Sequence, residues 1–249
     1  MSRFRSIRIL WLREIKTHIR DRPRVISSIV RSLLWLLIFG SGLGAARFVG
    51  LNINYQTFLF PGVIAMSLLF TSMHSGISVI WDREFGFLKE ILVSPTKRSS
   101  ILLGKVFGGS TIAVFEGIII LLFSFVIGVN LTVYSAIVSI VIMVLISISL
   151  VSIGLIVASV IESFEGFNTI MSFIIMPMFF LSGAVFPLDR IPQWMAPLVY
   201  INPLSYGVDA LRTVILGISY FSFSLDIILI ILFSLATMSL GVRAFKARM

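Results

Sequence analysis

No cysteine occurs among the 249 residues, which excludes disulfides, thiolate metal ligands and thiol nucleophiles. Charge is scarce as well: 12% of residues are charged, 58% are hydrophobic, and the mean hydropathy is +1.07. A soluble domain of this length has too little interior to hide so much apolar surface, so most of it must face lipid or other membrane helices. Histidine is nearly absent. His18 and His74 stand far apart in the sequence, leaving little material for a metal site or a catalytic centre. A phosphate cradle is missing too, because Gly104-Lys105-Val106 has neither the upstream glycine spacing nor the Ser/Thr of a P-loop. Any ATP that drives this protein must be hydrolysed on another polypeptide. There is no small-residue cleavage site near Ala45, so the first apolar run reads as a retained span rather than a signal peptide.

What the chain does contain is long apolar runs. About 20 residues cross a bilayer, and six runs reach or approach that length, at 25–46, 58–80, 101–128, 134–161, 169–186 and 221–242. The fifth is short and carries Pro177, which is expected to kink it. The net charge of +9 would suggest nucleic acid in a soluble protein. Here the basic residues sit beside apolar spans, which points to topology and anionic lipid instead. Sixteen of the 20 lysines and arginines fall before the first span, around the 81–100 loop or in the tail, against three (Arg47, Arg190, Arg212) in the alternate loops. The positive-inside rule therefore predicts that both termini and the 81–100 loop are cytoplasmic. The fold class expected is an all-α integral membrane domain of six spans, occupying 1–249 as one unit.

Three segments modify that plan. Residues 4–20 carry Phe4, Ile7, Trp11, Ile15 and Ile19 on one side and Arg5, Arg13, Lys16 and Arg20 on the other, the pattern of an interfacial helix with its apolar face in lipid. Residues 187–217 are punctuated by Pro187, Pro192, Pro197 and Pro203. They are too apolar for a free loop and too short to cross twice, which fits short helical pieces that dip into the outer leaflet and return. The 82–95 segment reads as a cytoplasmic helix: Asp82 can cap it, Glu84 favours its amino end, and Pro95 ends it. Phe85, Phe87, Leu88, Ile91 and Leu92 then share one broad arc. From spacing alone, a helix docked in a partner's groove and a plain interfacial helix fit equally well.

Among single residues, Glu116 lies mid-way along the third span, where an acid needs a partner or a wet cavity. It is a substrate contact, a proton site, or a structural carboxyl held by Ser or Thr. Glu162 and Glu165 share a cytoplasmic turn and face basic groups of a partner or of the 81–100 loop, or are simply solvated. Asp226 lies close to the outer interface, and Arg31 is expected to snorkel to the cytoplasmic surface. Gly40/Gly44 and Gly104/Gly108 have the small-xxx-small spacing of close helix approach, and neither is assigned to a dimer seam. No catalytic residue and no metal ligand is assigned.

The run from Trp81 to Pro95 followed by Ile101-Leu102-Leu103-Gly104-Lys105, and a second block from Phe180 to Leu188 continuing through Asn202 to Arg212, resemble the ABC type-2 transporter permeases. The drug-resistance, lipid and oligosaccharide export branch is the most similar. The resemblance covers nearly the whole chain. It implies a permease dimer, a second permease copy paired with this one, energised by two copies of an ABC-type ATP-binding subunit that carries the ATP and Mg. No cofactor is then expected on this chain. By matching position it implies motor coupling through Glu84, Phe85, Gly86, Phe87, Leu88, Glu90, Ile91 and Leu92. It also implies an outer-leaflet gate over 187–212, which includes Pro187, Tyr206, Asp209 and Arg212. The cargo expected is an amphiphile: a drug, a lipid or a lipid-linked glycan. The competing reading is an ion-coupled carrier or channel that works without an ATPase and uses Glu116.

Overall fold

The computed structural model describes residues 3–42, 53–87, 90, 93 and 96–248. Within them the chain forms α1 (Arg3–Arg20), α2 (Arg22–Gly42), α3 (Tyr55–His74), α4 (Ile77–Glu84), α5 (Arg98–Leu122), α6 (Val133–Val160), α7 (Phe164–Phe180), α8 (Pro203–Leu216) and α9 (Phe223–Arg248), with short turns between. No strand occurs among the described residues. Five stretches are long and apolar enough to cross a membrane: Arg22–Gly42, Tyr55–Glu84, Arg98–Ile127, Val133–Val160 and Phe223–Phe245. The remaining expected span, α7, has 17 residues and stays helical through Pro177, so it is shorter than the other five and not broken by its proline.

The bundle is built around α3, whose side chains from Phe58 to Leu69 are all buried. Around it pack α2, α5, α6, α7 and α8. Helix–helix association in lipid depends on close packing rather than on hydrophobic expulsion, and two glycine contacts set the geometry. Gly76 and Gly154 lie against each other's chain, so that a side-chain carbon at either would strike the backbone of the facing helix. Gly104 and Gly108 do the same for α1: an added Cβ would come within 2.6 Å of Leu10 Cβ and 2.5 Å of Glu14 Cβ. The small-xxx-small pair of α5 is thus used within the chain, as the seat of α1.

The direction of α1 follows from its partners. Leu10 meets Gly104, Glu14 meets Gly108, Trp11 Nε1 donates to Thr111 Oγ1 at 3.0 Å, and His18 approaches Glu116. The helix therefore ascends alongside α5. The apolar stripe expected to face lipid is divided, because Leu10 is buried and Ile7, Trp11 and Ile15 are half-buried, while Phe4, Ile9 and Ile19 remain exposed.

If the Gly108 contact seats α1, Gly108→Val should lower stability by about 1–3 kcal/mol through overpacking. Gly42→Val, where nothing lies within 4 Å, should leave stability unchanged or raise it slightly, since valine has the higher helix propensity. Thermal unfolding of both variants in the same detergent, followed by intrinsic fluorescence, compares them. Equal melting temperatures would mean that α1 is not held by this contact.

Candidate functional site

At the basic end of the bundle, four charges from three helices meet. Lys105 of α5 is 2% exposed and Asp82 of α4 is 5% exposed. Lys105 Nζ lies 2.6 Å from Asp82 Oδ2, 2.7 Å from Glu14 Oε1 and 2.9 Å from Ser78 Oγ. Arg13 of α1 grips the same Asp82 with both terminal nitrogens, Nη1 to Oδ2 at 3.1 Å and Nη2 to Oδ1 at 2.5 Å. Burial pulls the Arg13 guanidinium down, but the hydrogen bond and charge of Asp82 outweigh it and leave Arg13 above its ordinary value. The group is charged at every working pH. A buried ion of either sign costs several kcal/mol when alone, and this arrangement supplies each with partners and hydrogen bonds.

Asp82 is thus not the cap of a cytoplasmic helix. It lies in the last turn of α4, which Phe85 terminates. Gly86 then takes φ of 76°, a left-handed conformation that glycine adopts without steric cost. The single helix expected over 82–95 is interrupted there. Phe87, Glu90 and Val93 resume helical geometry, while Leu88, Lys89, Ile91, Leu92, Ser94 and Pro95 lie outside the described residues. The break also divides the expected aromatic arc. Phe87 is half-buried, with the Arg13 guanidinium carbon 3.7 Å from its ring centroid. Phe85 is 71% exposed and stacks on Trp81 at 5.1 Å.

The same surface includes the start of α7. Trp81 packs on Phe164 with ring centroids 4.8 Å apart, and Arg83 Nη1 donates to the Ile161 carbonyl at 3.2 Å. Glu162 and Glu165 are exposed beside these contacts, neither with an ion pair among the described residues, and Glu84 and Glu90 are exposed as well. The result is an apolar and acidic surface, with Phe85, Trp81 and Val93 as its exposed hydrophobic residues.

Residues 5–216 match the sequence profile of the family described as ABC-2 type transporter. The chain belongs to the ABC-2 type transporter family. Its relatives include the ycf38 transport permease of Cyanophora paradoxa, 31% identical over 199 residues that cover 78% of this chain and 69% of that one. The inner membrane transport permease YadH of Escherichia coli K12 is 24% identical over 216 residues, 86% of this chain and 84% of its own. Nodulation protein J of Rhizobium leguminosarum bv. trifolii is 26% identical over 186 residues, 73% and 71% of the two chains. This ABC-2 permease is therefore a multi-pass membrane subunit of an ABC transporter, and the family implies an ATP-binding partner.

The other sequence candidates of this permease fall elsewhere. Glu116 is 1% exposed and accepts from Ser28 Oγ at 2.8 Å and Thr71 Oγ1 at 2.5 Å, with His18 Nε2 3.4 Å away. It ties α1, α2, α3 and α5 together and lines a cavity between them. Arg31 faces that cavity too, its guanidinium carbon 5.4 Å from the Phe70 ring centroid. At the opposite end, Asp209 accepts from the backbone N–H groups of Tyr220 (2.9 Å) and Phe221 (2.7 Å), just before α9. Arg212 donates to the Gly183 carbonyl at 2.8 Å and lies 4.1 Å from the Phe58 ring centroid. Tyr206 Oη donates to the Tyr200 carbonyl at 2.6 Å, and Pro187 opens a short 3-10 turn. Asp209, Arg212 and Tyr206 thus stitch the Pro-rich segment to its neighbours. Asp226, in the first turn of α9, is fully buried among its protein neighbours. Among the described residues no group of three or more His, Asp or Glu side chains suits a metal ion.

Sequence reasoning passed over Arg13, Glu14 and Lys105 as site residues. The signal was present: Lys105 is a cation inside an apolar run, and Glu14 is the one acid among residues 1–20. Removing the shared acid tests the cluster. Asp82→Asn should cost about 3–5 kcal/mol, because it leaves buried Lys105 and half-buried Arg13 with only Glu14 to share as a counter-charge. The double substitution Asp82→Asn/Lys105→Met should recover part of that loss, read from thermal unfolding of the two variants. Additive losses would show that the pair is not coupled.

Proposed function

We propose that this chain is the membrane-spanning subunit of an ATP-driven exporter in the cytoplasmic membrane. It works as a homodimer with two copies of a separate ATP-binding subunit. Both termini and the 81–100 segment face the cytoplasm, in keeping with the distribution of lysine and arginine. The motor subunit, which holds ATP and Mg, seats on Glu84, Phe85 and Glu90; Leu88, Ile91 and Leu92, expected from the sequence to take part, lie outside the described residues. Glu162 and Glu165 offer it acidic contacts at the edge. The cargo is an amphiphile: a drug, a lipid or a lipid-linked glycan. The 187–217 segment, with Pro187, Tyr206, Asp209 and Arg212, is the outer gate.

The observation that carries this reading is the position of Arg13. Its guanidinium covers Phe87 and at the same time holds Asp82, which in turn holds Lys105. A push on the segment beyond Gly86 therefore reaches α1, α4 and α5 together, through ion pairs too costly to break one at a time. Nothing of the kind would be required of a solvated loop.

The test is a gentle-detergent purification of the tagged chain from its native host, wild type beside Phe85→Asp, with mass spectrometry of the proteins retained. A P-loop ATPase should accompany the wild type and be reduced about tenfold or more with the variant, since a charge would sit in the apolar contact. Retention of the ATPase by both would remove Phe85 from the docking surface. Cargo flux by the chain alone in liposomes, altered by Glu116→Gln, would replace the exporter with the ion-coupled carrier.

A further inference from the structure

The cavity between α1, α2, α3 and α5 has a volume of about 400 Å3, and of its lining Arg13, Glu14, Trp81 and Asp82 belong to the ion cluster and the surface beside it. On α2 its wall is Arg24, Ser27, Ser28, Arg31 and Ser32, a single polar stripe at helical spacing on a helix otherwise suited to lipid. Facing it across the cavity are Ser67, Thr71, His74, Ser75 and Ser78 of α3 and α4, again one stripe. Two facing polar stripes inside apolar helices are costly unless water or a polar ligand lies between them.

The charges around the cavity are not equally available. From α1 come Arg13, Glu14 and His18, with Asp21 just beyond its end; from α2, Arg24 and Arg31; from α3 and α4, His74 and Asp82; and from α5, Glu116. Arg13, Glu14 and Asp82 are closed off with Lys105 in the ion cluster. Glu116 is covered by donors from two helices, with His18 beside it. Asp21 is exposed in the turn between α1 and α2. The two guanidinium groups of α2 keep most of their capacity. Arg24 gives one N–H to the His74 carbonyl at 3.4 Å, and Arg31 rests over Phe70, whereas each guanidinium carries five donors. They stand two turns apart, about 10 Å along the axis. On the opposite wall Ser67 is 3% exposed and its Oγ has no hydrogen-bond partner among the described residues. Of the seven buried serine hydroxyls in that state among the described residues, Ser67 is the one that lines this cavity.

We propose that this cavity binds a phosphate ester, gripped by Arg24 and Arg31 with the Ser67 hydroxyl as a donor from the facing wall. Phosphate offers several acceptor oxygens to forked guanidinium donors, and arginine is the side chain suited to that geometry. The ester belongs either to a phospholipid headgroup or to a soluble organophosphate. The exposed apolar residues Ile26, Val30, Leu34 and Leu37 on α2 provide a path for an acyl chain in the first case. This inference needs neither the motor nor transport, so it stands or falls apart from the exporter reading.

The experiment uses the full chain purified in a phosphate-free, non-ionic detergent, with native mass spectrometry counting bound molecules. Three probes are titrated: dihexanoyl phosphatidylglycerol, glycerol 1-phosphate, and dihexanoylglycerol, which has acyl chains and no phosphate. The phospholipid should bind, dihexanoylglycerol should not, and R24Q/R31Q should weaken phospholipid binding about tenfold or more. Both arginines are exposed, so melting should be unchanged. If it is not, Ser67→Ala gives the readout, with about threefold weaker binding expected. Binding of the phospholipid alone identifies a lipid headgroup, and equal binding of glycerol 1-phosphate identifies a soluble ester. Three results overturn the proposal: undiminished binding after the substitutions, equal binding of dihexanoylglycerol, or no binding of either phosphate probe.

Discussion

Asp82 is the point on which the basic end of this bundle depends. It lies in a part of the chain where an isolated carboxylate would be expelled or neutralised, and it is kept there by Arg13 from α1 and Lys105 from α5. Glu14 completes the balance by sharing Lys105. Two cations and two anions thereby hold together three helices that hydrophobic packing alone would not fix in register. In lipid, apolar faces are interchangeable, whereas a buried ion pair has one geometry.

That constraint explains why α1 is not a free interfacial helix. Its basic residues divide by role, with Arg13 turned inward to the cluster while Arg5, Arg8, Lys16 and Arg20 stay exposed or half-exposed. The glycines at 104 and 108 let its backbone come close enough for Glu14 to reach Lys105. Packing and electrostatics here are one device. A bulkier α5 would place Glu14 out of range, and an uncharged α1 would have no reason to sit so near. His18, at the far end of the same helix, reaches Glu116 by the same alignment, which brings α1 to the wall of the polar cavity.

Much of this was legible in the sequence, and the reasons for the rest are physical. Hydropathy found the spans, because roughly 20 apolar residues are a signal that tertiary context does not override. The fifth run was placed a few residues late, since the helix α7 covers Phe164–Phe180 with Ser163 as its cap. The interpretation of Glu116 as a carboxyl held by Ser or Thr matches Ser28 and Thr71, since a buried acid in a chain short of basic spans has few other partners. Its placement on a cavity wall required the fold. So did the polar stripe of α2: Arg24, Ser27, Ser28, Arg31 and Ser32 can be read at helical spacing, but nothing in that spacing says what they face. The 187–217 segment was legible as short helical pieces from its prolines. The roles of Asp209 and Arg212 were not, because their partners are backbone groups of distant residues, which carry no mark in a sequence.

One backbone angle decides what the chain just beyond Asp82 exposes. An uninterrupted helix from Asp82 would put Phe85 and Phe87 at the two edges of one broad arc, about 160° apart, both available to a partner. With Gly86 at φ of 76° the chain turns between them, and the two rings part. Phe87 goes beneath Arg13 and becomes part of the inner machinery, while Phe85 stays outside with Trp81. A substitution at Phe87 would therefore disturb the cluster as well as any contact, and could not distinguish a lost partner from a loosened α1. Phe85 has no such second role, so a contact surface on this face is to be sought there. The same turn leaves Phe87, the first residue beyond Gly86, against the Arg13 guanidinium, and this cation–π contact joins it to the buried carboxylate of Asp82.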